Sequence, residues 1–314
     1  MINTNVGYLI KVFRERLGFT QEELCEGLCE PSTLSKIENG HMQPGLELYN
    51  ALSGKLNINI QYPVNLSQVE FKRKKIRVKI ATSIDKNEFN YEILLNEFYD
   101  CNYFMNKFDK QFFLFSKANI ILHKEKNYTL ALELLLESIN LTFTNYDVNT
   151  NLDKHLFFFT EFNILKTIAV ALYKLKNFEN AKRILIQMEK ILISSNMSNE
   201  EIANIYPSVN LTLSNWFMVE KQYKDTIYYA DKGINCSIIN GKLFYLANLL
   251  YNKGFSTQIL KGSDAPVILS EALILYKIQN NNEKLENSIR QIKENFGTDY
   301  YLRLFMNSVL AHEI

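Results

Sequence analysis

"FTQEELCEGLCEPSTLSKIENG", Phe19 to Gly40, is the stretch that decides how the first part of this chain folds. Thr20 is a good helix N-cap, and Glu23 three residues later completes a capping box. The spacing predicts a helix from about Gln21 to Gly27 with Leu24 and Leu28 facing inward, and a tight turn at Cys29–Glu30. Pro31 then opens a second helix at a position where a missing N–H costs nothing. Leu34 and Ile37 share its inner face, and Asn39-Gly40 stops it. Two short helices across a tight turn make a helix-turn-helix. Small polar side chains at the start of its second helix can reach base edges in a major groove.

The rest of the chain reads as helix as well. Of its 314 residues, 47% are hydrophobic and 22% charged, a globular balance at a length that allows two domains. Six of the eleven glycines lie at or before Gly54, and from Val64 to Tyr206 there is neither Gly nor Pro. Hairpin-rich sheets need glycine at positive φ, whereas apolar residues three and four apart without breakers read as helices. The breaks are Asn-rich: "KEKNY", "TNYDVNTNLD", "KLKNF" and "SSNMSNEE". The expected fold class is all-α. The expected domains are a helix-turn-helix domain at 1–62, a basic linker helix at 63–80 and a helical-repeat domain at 81–314.

That last region carries a faint repeat. "KNYTLALELL" sets Tyr128 three before Ala131, "KNFENAKRIL" sets Phe178 three before Ala181, and "KQYKDTIYYA" sets Tyr223 three before Thr226. An aromatic at a helix start with a small residue one turn on suits a hairpin packed closely against its neighbour. The repeat spacing is 50 and then 45 residues, longer than the 34 of a standard tetratricopeptide repeat.

Charge and motifs narrow the function. The net charge of +1 announces no chain-wide basic field, and residues 1–62 hold five Lys and Arg against seven Glu. Lys72, Arg73, Lys74, Lys75, Arg77 and Lys79 are the obvious basic supplement, either as a solvated helix face or as a helix near a DNA backbone. Neither a G-x-x-x-x-G-K-[ST] loop nor a G-x-G-x-x-G motif occurs. His41, His123, His155 and His312 are scattered without metal spacing. No enzyme, catalytic residue, cofactor or metal is expected. Cys25 and Cys29 are expected to be core packing, as is Trp216. The start has no apolar signal core, and the apolar runs are too short to span a bilayer, so the expected location is cytoplasmic, with no membrane partner.

The residues "FTQEEL", "STLSKIENG" and "GLELYNALSGKLNINI" resemble the Cro/repressor-like (XRE) helix-turn-helix family, here with a turn one residue shorter than usual. That resemblance implies a five-helix domain. It also implies a phosphate contact at Gln21, an exposed reading face of Ser32, Thr33, Ser35 and Lys36, and an apolar base contact at Pro31. The repeats resemble tetratricopeptide hairpins, which imply a right-handed superhelix with a concave binding surface.

Together the parts resemble the Rgg/NprR/PlcR/PrgX (RRNPP) peptide-sensing regulators, in their PlcR-like branch. The resemblance implies a cytoplasmic homodimer that binds a roughly palindromic operator in double-stranded DNA and is controlled by a short signalling peptide. It places Asn248 at a peptide-facing position, with Tyr251 near it. Thr167 and Thr212 stand where relatives carry clamping Asn, with Asn163 and Asn210 close by as substitutes. Two alternatives stay open. One is a helical-repeat adaptor for a protein partner. The other is a regulator controlled by a small molecule or by oxidation of Cys25, Cys29, Cys101 and Cys236.

Overall fold

The computed structural model describes residues 6–58, 68–86, 88–100, 105–153, 155–194 and 199–300. Among them the regular elements are helices alone, as expected. Contacts divide the chain into two compact units, Met1–Ser198 and Asn199–Ile314.

The first unit opens with α1 (Val6–Arg16), α2 (Gln21–Cys25), α3 (Pro31–Glu38) and α4 (Leu46–Leu56). These are four helices where the resemblance implied five, and residues 59–62 lie outside the described part. The Thr20 hydroxyl accepts from the Glu23 amide at 3.1 Å while the Glu23 carboxylate accepts from the Thr20 amide at 2.7 Å, so the capping box forms as read. The helix it opens ends at Cys25, two residues early, because Gly27 turns the chain with φ at +71°. The turn therefore does contain a glycine, contrary to the reading that placed it at Cys29–Glu30. Leu24, Leu28, Leu34 and Ile37 form the core with Ile10, Tyr49 and Leu52. The buried Glu38 carboxylate ties the head together. It accepts from Arg14 Nε at 2.6 Å and Nη2 at 2.9 Å, and from Gln21 Nε2 at 2.7 Å. Such a buried pair is costly to break from one side, about 3–5 kcal/mol.

The same unit continues through α5 (Gln68–Asp85), α6 (Glu92–Asp100) and α7 (Lys107–Ile120), which runs on as a π turn over Ile121–Glu125. Then come α8 (Tyr128–Asn140), α9 (Phe159–Lys174) and α10 (Phe178–Ser194). The head is docked on these helices. Lys107 Nζ donates to the Gly27 carbonyl at 2.5 Å, and Lys55 Nζ to the Glu26 carbonyl at 2.7 Å. A Cβ on Gly27 would lie 1.4 Å from the Thr142 carbonyl oxygen. Phe108 and Phe158 join the head's own core. The described part of the expected domain, residues 6–58, thus packs with the following helices within one compact unit.

The second unit holds α11 (Asn199–Val219), α12 (Tyr223–Ile239), α13 (Leu246–Ile259), α14 (Ala265–Ile278) and α15 (Asn282–Phe296). The repeat reading holds in both units. Tyr128, Phe178 and Tyr223 each begin a helix, and Ala131, Ala181 and Thr226 are fully buried. The hairpin turns share one device. Lys126, Lys176, Lys221, Lys261 and Asn280 all sit at positive φ. The next amide then reaches back over the helix end, as Asn177 N to Leu172 O at 2.9 Å and Gln222 N to Phe217 O at 2.9 Å. Close helix contact needs small residues: Gly233 and Gly254 leave no room for a Cβ against Leu249 and Leu269.

Candidate nucleic-acid interface and ligand-facing helices

α3 presents a polar face to solvent. Pro31, Ser32 and Lys36 are exposed and Thr33 and Ser35 half-buried, while Leu34, Ile37 and Glu38 lie beneath. Ser35 Oγ accepts from Asn39 Nδ2 at 3.4 Å, a weak tie. The helix has no side-chain N-cap; Pro31 lacks an N–H and the Thr33 and Leu34 amides are bonded to the Glu30 carbonyl, so the Ser32 amide is the one left to meet a phosphate oxygen. Gln21 begins α2, half-buried, with one amide hydrogen held by Glu38 on the inner side of α3. Its side chain is thereby oriented, with a second amide hydrogen left for a phosphate. Arg14 and Glu38 were not singled out in the sequence. A cation in the first helix and a carboxylate at the end of the third are ordinary surface residues until the fold brings them together.

The basic stretch splits on α5. Arg73 Nη1 and Arg77 Nη1 turn inward to the buried Asp109 carboxylate at 3.3 and 3.5 Å, and Arg73 Nη2 also lies 3.5 Å from Glu47. Arg77 stacks over the Phe112 ring at 4.5 Å. Lys72 pairs with Glu97 at 2.9 Å. Lys74 and Lys79 remain on the exposed side. Linker residues 63–67 lie outside the described part.

The ligand candidates fall into two sorts. In the first unit, Thr167 on α9 is buried and donates to the Asn163 carbonyl at 2.9 Å, and Asn163 is half-buried. In the second unit, Thr212 donates to the Ser208 carbonyl at 2.8 Å. Asn210 is fully buried, donates to the Tyr206 carbonyl at 2.9 Å and packs against Gly233. Thr167, Thr212 and Asn210 therefore bond within their own helices, as mid-helix polar residues do.

Asn248 is different. Its Oδ1 accepts from the Tyr276 hydroxyl at 2.9 Å, and its Nδ2 is neither enclosed nor bonded to a described residue. Tyr251 is buried and donates to Gln291 Oε1 at 2.7 Å. On the same helix, Asn252 Nδ2 donates to Asn215 Oδ1 at 2.7 Å and to Ser214 Oγ at 3.1 Å, both on α11. Asn215, Asn248 and Gln291 stand on α11, α13 and α15, and each has its oxygen end pinned by a neighbour. What they offer outward is the amide N–H, a row of donors suited to carbonyl oxygens. Asn215 and Gln291 escaped sequence reading because each gains this polarity from a partner 37 or 40 residues away.

Thiol chemistry finds little support here. Burial pushes the Cys29 thiol up to about 11 and raises that of Cys25, so neither is poised as a thiolate. Cys236 is raised by burial too, and Cys101 lies outside the described residues. No metal-binding group of His, Cys, Asp or Glu occurs among the described residues, and no described helix is long and apolar enough to cross a membrane.

Residues 10–62 match a family model described as "Helix-turn-helix". None of the curated proteins compared with the chain matches it in sequence. Among solved structures, the chain is similar to PlcR of Bacillus thuringiensis in complex with the peptide PapR7 and DNA. The TM-score is 0.60 at 19% identity, over 90% of this chain and 98% of that one. It is similar as well to PlcR in its apo form, with a TM-score of 0.59 at 17% identity over 92% and 99% of the two chains. At these identities the likeness shows the fold: a helix-turn-helix head followed by helical hairpins, all-α throughout.

Proposed function

We propose that this chain is a DNA-binding transcriptional regulator, dimeric and cytoplasmic, controlled by a short signalling peptide and performing no catalysis of its own. Within it, 1–62 is the DNA-binding domain, 63–80 a linker helix and 81–314 the peptide-binding and dimerisation domain. The observation that carries this reading is the exposed polar start of α3 on a head that matches the helix-turn-helix model, in a chain with the fold PlcR shows when bound to peptide and DNA. Ser32, Thr33, Ser35 and Lys36 read or flank base edges, Pro31 meets an apolar base group, and Gln21 holds a phosphate. Asn248 donates to a peptide carbonyl, with Tyr251 beneath it. Thr167, Asn210 and Thr212 shape their own helices and do not act as primary donors, as their internal bonds favour, and Asn163 is a further peptide-facing candidate in the first unit.

The test begins with operator selection from random duplex DNA. Thr33→Ala and Ser32→Ala should each lose about 1–3 kcal/mol on the selected site and little on random DNA. Binding of the selected site and of random DNA by both variants as by the parent would remove the assignment. Peptides encoded beside the gene should then change operator affinity or geometry, because a ligand with equal affinity for two states shifts neither. Peptide binding without any change on DNA would leave the adaptor reading.

A further inference from the structure

A cavity of roughly 360 Å³ opens in the first unit where the head meets the following helices. Its size lies within the range of small-molecule sites, about 300–1,000 Å³. Phe19, Gly54 and Lys55 of the head line one side. The other side is built by Asp153, His155, Leu156, Phe157 and Phe162, with Lys190, Ile191 and Ser194 of α10 at the rim. None of these residues has a role in the DNA or peptide contacts described above.

Two buried polar groups in this lining are only partly satisfied. Lys55 is 4% exposed, and its one hydrogen-bond partner among the described residues is the Glu26 carbonyl. An ammonium carries three donors, so two are left in a site that burial makes unfavourable for an unpaired charge. Burial accordingly pushes the Lys55 ammonium below its ordinary range, and the nearby Glu161 opposes that only in part. His155 is 7% exposed and stacks on Phe143 at 3.8 Å. Its Nε2 lies 3.2 Å from Glu161 Oε2. The Thr142 hydroxyl and the Phe158 amide donate to that carboxylate as well. A carboxylate only accepts, so Nε2 carries the hydrogen and Nδ1 remains, without a described partner and not enclosed. Lys190 adds an exposed cation at the mouth, and Asp153 adds one carboxylate.

We infer that this cavity binds a small monocarboxylate with a flat apolar body, held by Lys55 and Lys190 and packed against Phe19, Phe157 and Phe162. A hydroxyl on such a ligand would donate to His155 Nδ1. The single negative charge follows from Asp153, which opposes a second one at the rim. Because the walls come from the head and from α9 and α10, an occupant bridges them and adds to the docking made by Lys107 and Gly27.

The experiment uses the full chain with three probes: benzoate, 4-hydroxybenzoate and benzylamine. Calorimetry and thermal unfolding should show binding of both acids, the hydroxy acid more tightly, with a midpoint that rises with ligand concentration. Benzylamine, with the same ring and the opposite charge, should not bind. Lys190→Ala should weaken benzoate about tenfold or more, the loss of one charge-assisted contact. Ser194→Trp changes an exposed helix-end residue at the mouth. It should abolish benzoate binding while the ligand-free melt stays that of the parent. Benzoate that fails to bind, benzylamine that binds equally, or benzoate binding untouched by Ser194→Trp would each overturn the assignment.

Discussion

At the scale of single residues, the chemistry of the proposed peptide-binding helices depends on which end of an amide is free. Tyr276 is fully enclosed, and its hydroxyl holds Asn248 Oδ1. Tyr276→Phe should therefore leave the fold intact but free the Asn248 amide to rotate. The expected loss in affinity for a peptide ligand is about 0.5–1.5 kcal/mol, the worth of one hydrogen bond. Asn248→Asp, which presents an acceptor where the parent presents a donor, should lose more than Asn248→Ala. Calorimetry on the three variants checks the order; equal affinities for the parent and Tyr276→Phe would show that the tyrosine positions nothing. The cysteines allow a second test. With its thiol pushed up to about 11 by burial, Cys29 should alkylate at neutral pH far more slowly than an unperturbed thiol. Peptide-level mass spectrometry of a timed iodoacetamide reaction reads this directly, and rapid labelling of Cys29 in the native protein would restore the redox alternative.

At the scale of elements, two turns carry more than connection. The π turn that ends α7 places His123 face to face with Phe89 at a centroid distance of 4.1 Å. Desolvation of the imidazole against Phe89, assisted by the charges of Lys174 and Lys166, lowers His123 toward about 4, although the residue as a whole is exposed and water screens much of that effect on stability. The sign follows from that direction. The unfolded chain binds the proton near the ordinary value of about 6.5 while the folded chain resists it. His123 thus contributes stability above about pH 6.5, and that contribution is lost as the pH falls toward 4. His123→Gln should flatten the stability profile between those values, as urea unfolding at a series of pH values would show. The other turn is that of the helix-turn-helix. Gly27 combines φ of +71° with direct contact on the Thr142 carbonyl. Gly27→Ala should destabilise the first unit by at least about 2 kcal/mol, since left-handed strain alone accounts for 1–2 kcal/mol and the clash adds to it. A chemical melt near that of the parent would mean that the head is not held through this turn.

At the scale of the whole molecule, the head is poorly equipped to hold DNA by charge alone. Lys11, Arg16 and Lys36 are its accessible cations, whereas Lys55 and Arg14 are buried in internal bonds. Three phosphate contacts from each head of a dimer imply a slope of log K against log salt of about −5. If Lys74 and Lys79 of α5 also reach the backbone, the slope steepens to about −9. Operator titrations across a salt series thus decide between a solvated α5 and one beside the DNA. With so few accessible cations on a head that carries more Glu than Lys and Arg, a single proposed DNA-binding head would make few contacts, and two-fold pairing would double them. Light scattering should accordingly report a dimer on DNA, and a monomer both free and bound would reject the proposal.

The local rules written in this chain were sufficient for its helices. Thr20 and Glu23 define a capping box, Pro31 starts a helix, and Tyr128, Phe178 and Tyr223 mark hairpin helices that begin at those residues. Capping, proline geometry and helical periodicity act within a few residues, so they are legible without a fold. The exposed face of α3 was legible for the same reason, since Leu34 and Ile37 fix which side is inward. What tertiary structure decided is everything that joins distant residues. The glycine of the turn is Gly27 because Thr142, 115 positions away in the sequence, leaves space for nothing larger. Arg73 and Arg77 are structural cations and not a free basic face because Asp109 lies buried beneath them. Asn248 is a donor because Tyr276 takes its oxygen, and Lys55 lines a cavity because the head docks on α9 and α10. Hydrogen-bond polarity and desolvation depend on which groups the folded chain brings within contact distance, and no local pattern of residue types records that.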